Sequence, residues 1–474
     1  MISFIFNNLI LATAIFLSFV YLLLGVISMF QLIDYRRANR NTDYSTLLSS
    51  PFAPGISVLA PAFNESRTIV DNIKALFSIH YNNFEIIVVN DGSTDNTLET
   101  IISEFELEKV DYALYASITT QKIKGVYRSS NRAYSFLTVI DKENGGKADA
   151  LNAGINISQY PYFISIDVDC VIVPDALLRL VKPFLGYSSK KVVATGGVIR
   201  IANSCKIENG QIMQVNVPEK LLGRFQVIEY LRSFLMGRMA WSKLNGLLLI
   251  SGALGMFDKE VVIQCGGYNS HTVGEDMELV VRMRRYLYEH GIKHKVEYIP
   301  DPLCWTEVPT SLKGLQRQRN RWTRGNIDTL LIHRKLFFNP KYGRLGMLGH
   351  PFWFFFEWLA PLVETAGFIF MIFLILMGMV NWPLFWFLLI FVYLFSVSFS
   401  FYAVLFDEFT FHRYHRFAHL RRLFIIPFIE PIIYHPLNVY WAIRGNIAFL
   451  RGDRRWGQHD RKGFEHVVHT SPLE

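Results

Sequence analysis

Two long runs without a charge constrain this chain most. Residues 1–33 contain no Asp, Glu, Lys or Arg, and neither do residues 365–406. A bilayer core about 30 Å thick is crossed by roughly 20 apolar residues in a helix. Residues 10–30 are therefore long enough for one span, and 365–406 for a hairpin of two. Asn381-Trp382-Pro383 marks the turn of that hairpin, whose first span starts near Phe352 and includes Glu357 and Glu364. Acids within a span face protein or a polar passage rather than lipid. Arg36, Arg37 and Arg40 follow the first run and place the next segment on the cytoplasmic side. No basic residue precedes that run and it is long, so an uncleaved anchor is expected rather than a signal peptide.

The stretch between is different. The chain is 51% hydrophobic, yet 19% of it is charged, so a polar domain lies between the apolar ends. The net charge of +8 comes from basic residues beside the apolar runs. That points to a membrane surface and not to nucleic acid. Cys170, Cys205, Cys265 and Cys304 form no close pair and read as reduced core residues. Residues 39–54 read as a polar linker.

From 55 to about 342 the pattern is α/β. Strands are expected at 56–60, 84–89, 134–140 and 191–200, and helices after Asn64-Glu65-Ser66 and after Asn90-Asp91-Gly92-Ser93-Thr94-Asp95. This alternation predicts a parallel sheet; residues 104–131 have no clear pattern. Gly145-Gly146-Lys147 at a helix start offers amides and a cation to an anion. It lacks the spacing of a Walker loop, and no G-x-G-x-x-G occurs.

Phe163-Ile164-Ser165-Ile166 is a buried strand that runs into Asp167-Val168-Asp169. Side chains alternate on a strand, so Asp167 and Asp169 face the same way. Hard oxygen donors at the carboxyl end of a parallel strand suit Mg²⁺ or Mn²⁺ bridging a diphosphate. The same pattern also occurs as a plain polar turn. Asp276, after Gly274-Glu275, fits either a helix cap or a general base.

Residues 221–249 are amphipathic and basic, suited either to the membrane surface or to packing on the sheet. Residues 251–257, which include Gly252 and Ala253, are small and flexible enough for close approach of a ligand. Residues 311–333 form a basic helix with Gln318, Arg321 and Trp322 on one face. Indole, amide and guanidinium together suit a sugar and a phosphate. His412, His415 and His419 share a helical face, read as interfacial anchors with metal binding as the alternative. Residues 423–443 are apolar but broken by Glu430-Pro431 and His435-Pro436. A full crossing there would put the basic residues at 444 and 451–455 outside, so a hairpin or interfacial piece is expected.

In chain order, Pro61-Ala62-Phe63-Asn64-Glu65, Asn90-Asp91-Gly92-Ser93-Thr94-Asp95, Gly145-Gly146-Lys147, Asp167-x-Asp169, Gly274-Glu275-Asp276 and Gln318-x-x-Arg321-Trp322 form a series. The series resembles the membrane-embedded, processive branch of glycosyltransferase family 2, which includes the cellulose, hyaluronan, chitin and poly-N-acetylglucosamine synthases. The resemblance implies an α/β GT-A (Rossmann-like) cytosolic domain between transmembrane helices. The expected domains are 1–35 (anchor), 55–342 (catalytic), 350–450 (membrane) and 451–474 (cytoplasmic tail).

It further implies a nucleotide-sugar donor, a UDP-sugar, contacted by Asn64, Glu65, Asp91, Lys147, Asp149 and Asp167. Asp167 and Asp169 would hold a divalent metal, Mg²⁺ or Mn²⁺, with Asp276 as catalytic base beside Glu275. Gln318, Arg321, Trp322, Gly252 and Ala253 would meet the acceptor and diphosphate. The implied product is a β-linked exopolysaccharide made by inversion and exported through the bilayer; the alternative is a non-processive enzyme making a glycolipid. The implied location is the inner (plasma) membrane, multi-pass, with the catalytic domain cytoplasmic. Implied partners are the growing polysaccharide or lipid acceptor, the bilayer and a small accessory membrane subunit, with no nucleic acid.

Overall fold

The computed structural model describes residues 2–453 except 114–115, 187–188, 209, 413 and 415–416. Helix α1 (Ile2–Asn39) enters first, and a short helix, Tyr44–Ser49, occupies part of the expected linker. The sheet follows: β1 (Ile56–Ala62), β2 (Phe84–Asp91), β3 (Leu107–Val110), β4 (Ile123–Ser129), β5 (Leu137–Lys142), β6 (Tyr162–Ile166), β7 (Val171–Ile172), β8 (Lys191–Ile201), β9 (Lys206–Glu208), β10 (Gln211–Gln214), β11 (Leu254–Asp258) and β12 (His294–Thr306). Ten of these make one sheet in the order β3-β4-β5-β2-β1-β6-β11-β8-β12-β7, and β9 and β10 form a separate hairpin.

Strands β5, β2, β1 and β6 are mutually parallel. Their near-continuous apolar runs suit strands covered on both faces, and Val58, Leu59, Ile86, Ile87, Val139 and Ile164 are wholly buried. Helices α2 (Ile69–Leu76), α3 (Thr97–Glu104), α4 (Lys147–Ile157) and α5 (Ala176–Leu185) provide the cover.

Three local expectations are corrected. The strand expected from residue 134 starts at Leu137, because Tyr134 sits in a 3₁₀ turn among Phe77 and Phe105, with ring centres 5.5 and 5.3 Å away. The unreadable stretch 104–131 supplies β3 and β4, an antiparallel edge whose short strands carry weak periodicity. Residues 254–257 are a core strand and not a flexible loop, since β11 pairs with both β6 and β8.

The remaining helices lie between the sheet and the apolar elements. Helix α6 (221–243) is continuous, with a wider π turn at Leu231–Gly237. It packs on β8 and β12 on one side and on α1 on the other, as the sheet-packing reading of its amphipathic pattern expects. Helices α7 (Glu275–Glu289) and α8 (Leu312–Ile332) lead to α9 (Leu345–Leu376) and α10 (Trp382–Phe411), the expected hairpin. Helices α1, α9 and α10 are long and apolar enough to span a membrane.

Helix α11 (Phe417–Leu450) is a single 34-residue helix and not a hairpin. It tolerates Pro427, Pro431 and Pro436 because buried Glu430, Tyr434 and Trp441 clamp it along its length. It too is long enough to cross, but both its ends lie near the sheet domain. Before it, Phe411 lies under Arg200 of β8. At its far end Gly445 meets Thr323 of α8, and Arg324 donates to the Asp453 carbonyl at 2.5 Å. His419 is buried in α11 and His412 ends α10; His415 and most of the tail lie outside the described residues.

Candidate active site

The site forms where the parallel strands end. Strand β6 stops at Ile166, and the Cys170 amide donates to the Asp167 carbonyl (3.0 Å), curling the chain into a turn. Oxygens of Asp167 and Asp169 and the Cys170 sulfur come within 4.8 Å of one another. Burial, and then the Asp167 carboxylate, push the Asp169 carboxyl up to about 7, against the pull of Lys147. Two converging carboxylates that gain from a nearby cation are a donor set for a hard divalent metal, so Mg²⁺ or Mn²⁺ fits these residues.

The register of β11 supplies the facing wall. Leu254 pairs with Ile166, so Gly252 and Ala253 lie beside the Asp167 turn. Lys147, at the start of α4, donates to Asp167 and to the Gly252 carbonyl (3.3 Å), and lies 3.9 Å from Glu275. Burial disfavours its ammonium, but Asp167, Glu275 and Asp276 outweigh that and raise its pKa. The Gly252 amide donates to Asp276 Oδ2 at 2.9 Å, and the Met277 amide to Oδ1 at 2.8 Å. Asp276 is thus not the cap of α7, which is Gly274; it lies in the helix's first turn and faces the site. Glu275 is buried, and burial with Asp276 beside it raises its pKa against Lys147 and Arg321.

Helix α8 closes the site through a contact between glycines. A Cβ on Gly325 would stand 2.8 Å from the Gly274 Cα. Only bare backbones allow this approach, and it brings the start of α7 against α8. Gln318, Arg321 and Trp322 then line one cavity with Lys147, Asp167, Asp169, Gly252, Ala253, Glu275 and Asp276. The Gln318 amide oxygen is buried without a hydrogen-bond partner among the described residues. The cavity is partly open, about 3300 Å³ in volume, and continues between α1, α9, α10 and α11, where Glu357, Glu364 and Glu430 line it.

Of the expected donor contacts, Lys147 and Asp167 line that cavity, whereas Asn64, Glu65, Asp91 and Asp149 occupy a neighbouring edge and do not. Backbone amides of Asn64, Glu65 and Ser66 donate to Ser93 Oγ (3.0 Å), Thr97 Oγ1 (2.9 Å) and Asp95 Oδ2 (3.2 Å). These bonds brace the loops after β1 and β2, and they delay α2 to Ile69. Asp91 accepts from the Gly145 and Gly146 amides at 3.0 and 2.7 Å. Sequence reasoning missed Lys142. It is fully buried at the end of β5, its ammonium 2.5 Å from Asp91 and 2.6 Å from Asp149. No local signal marked it, because Lys142 meets Asp91 across 51 residues through the pairing of β2 with β5. Asp91 and Asp149 thus hold the 143–146 loop in shape beneath the site.

Comparison with known proteins places the chain's family and fold. The model of glycosyl transferase family group 2 matches residues 162–405, and that of glycosyl transferase family 2 matches 57–222. Poly-beta-1,6-N-acetyl-D-glucosamine synthases of Staphylococcus epidermidis and Staphylococcus aureus (strain COL) are 32% and 30% identical over 277 residues, 58% of this chain and 56% of each relative. The chain therefore spans about half the length of the curated relatives it matches. A mannosyltransferase from Pyrobaculum calidifontis, solved with GDP-Man and Mn²⁺, shares the fold at a TM-score of 0.51 and 17% identity, over 91% of this chain and 99% of that one.

Proposed function

The chain belongs to glycosyl transferase family group 2, and on that basis we propose that it transfers a sugar from a UDP-sugar to the growing end of a β-linked exopolysaccharide. The observation that carries this reading is a single cavity. It joins Asp167 and Asp169 to Asp276 and Trp322 and then continues between the apolar helices. The relatives' names favour N-acetylglucosamine as the sugar.

In this reading Asp276 takes the proton from the acceptor hydroxyl as that oxygen attacks the anomeric carbon. Attack and departure occur in one step, so an α-linked donor gives a β-linked product. Trp322 stacks on the acceptor sugar, Gln318 hydrogen-bonds it, and Arg321 faces the departing diphosphate. Lys147 holds Asp167 in place and adds positive charge beside the same diphosphate. A divalent metal bound by Asp167 and Asp169 supplies further charge to that leaving group. The product then moves along the cavity, away from the cytoplasm where donors are made.

The test uses the full chain in detergent with Mn²⁺ and UDP-N-acetylglucosamine, UDP-glucose or UDP-glucuronate, reading UDP release and product length. Polymer from one donor is expected. Asp276→Asn should lower transfer by about 10³-fold or more, with UDP affinity unchanged. A lipid carrying a single sugar as the only product would overturn the polymer reading.

A further inference from the structure

Trp322 depends on other residues for its plane. Its indole is 38% exposed at the cavity wall. Arg319, three residues earlier on α8, lays its guanidinium on that ring, 4.3 Å from the centre. The guanidinium donates to both carboxylate oxygens of Glu229 on α6, at 2.6 and 2.7 Å. Tyr434 on α11 donates its hydroxyl to Glu229 at 2.8 Å and lies 3.3 Å from the same guanidinium. Phe225 of α6 stacks on the Tyr434 ring at 5.1 Å.

Three helices thus converge on one planar group. A fork bonded at both prongs has a fixed plane, and an aromatic ring lying on it inherits that plane. Exposed ion pairs do little, but here Arg319 is 8% exposed and Tyr434 is fully buried. None of the three is among the residues expected to hold the donor.

We propose that Glu229, Arg319 and Tyr434 form a positioning unit that sets the plane of Trp322, so that the last helix takes part in recognising the acceptor saccharide. This rests on the reading of Trp322 as the acceptor's stacking surface. Helix α11 also lines the cavity, through Glu430 and His435. The helix against which product would slide therefore also orients the ring on which the next acceptor end would rest.

The test uses the full chain with Mn²⁺, UDP-N-acetylglucosamine and a β-1,6-linked N-acetylglucosamine tetrasaccharide as acceptor. Tyr434→Phe keeps the ring stacking and removes one hydrogen bond to a charged group. It should raise the acceptor KM about fivefold. The kcat at saturating acceptor and the UDP release without acceptor should stay within about twofold, since no group that touches the donor changes. Arg319→Lys loses both fork and stacking and should raise the acceptor KM further. With Trp322→Ala already in place, Tyr434→Phe should add nothing, because its effect passes through that ring. An unchanged acceptor KM in Tyr434→Phe, or additive effects in the double variant, would overturn the positioning unit alone. An unchanged acceptor KM in Trp322→Ala would overturn the stacking reading along with it. Donor hydrolysis falling in step with transfer would mark the unit as merely structural and also overturn it.

Discussion

At the scale of single residues, the site depends on buried charges that satisfy one another. Lys142 is the plainest case, a fully buried ammonium between Asp91 and Asp149. Removing one partner of such a cluster leaves the others uncompensated, which costs about 3–5 kcal/mol. Lys142→Met should therefore lower the thermal midpoint sharply, and replacing Asp91 and Asp149 by Asn in the same chain should recover part of the loss. A second residue sets an acid limit. Burial, and then the Arg284 guanidinium, push the His294 imidazole down to about 4 from its usual 6.5. The unfolded chain therefore takes up this proton first as pH falls. The neutral ring's contribution is complete above pH 6.5 and fades towards pH 4, up to about 3 kcal/mol in total. His294→Phe should flatten the fall in melting temperature over that window, read from unfolding curves of the two proteins in detergent.

At the scale of elements, two helices are brought together by missing side chains. Gly274 precedes α7 and Gly325 lies within α8, and their backbones touch. That contact fixes the distance between Asp276, near the start of α7, and Trp322, one turn before Gly325. Gly325→Ala puts a methyl group against backbone that cannot yield without moving a helix. Overpacking of this kind costs about 1–3 kcal/mol. The helices should part by enough to lower kcat about tenfold or more, because positioning is steep in distance. Mn²⁺-dependent UDP binding should be nearly unchanged in a titration, since neither helix supplies Asp167 or Asp169.

At the scale of the whole molecule, the apolar helices are tied to the sheet domain by buried and half-buried polar pairs. Arg200 of β8 binds Asp407 at the end of α10, with one bond at 2.9 Å. Arg232 of α6 binds Glu430 of α11 at 2.8 Å. At the end of α1, Tyr35 donates to Asp301, which also accepts from Arg179 at 2.8 Å. Helices α9 and α10 thus leave and return on the same side, with the turn at 377–381 farthest away. A thiol introduced at Met379 should react with a membrane-impermeant maleimide added outside intact cells. A thiol at Phe52, exposed just ahead of β1, should react only after lysis. Labelling of Phe52→Cys in intact cells would reverse the orientation.

The sequence by itself determined three long apolar helices, the central parallel strands and which carboxylates end them. Those signals are local: a run without charge, a period of two, acids after a buried strand. It also showed Gln318, Arg321 and Trp322 on one helical face, because four residues of spacing define a face. Only the tertiary structure decided that α11 is unbroken and returns to the sheet domain. Proline spacing alone cannot weigh the lost backbone bonds against the packing of Tyr434 and Trp441. Only it revealed Lys142 beneath Asp91 and Asp149, and Arg319 held between Glu229 and Trp322. The contacts to Asp91 and Glu229 join residues 51 and 90 positions apart, and such pairings follow from how the sheet and helices pack.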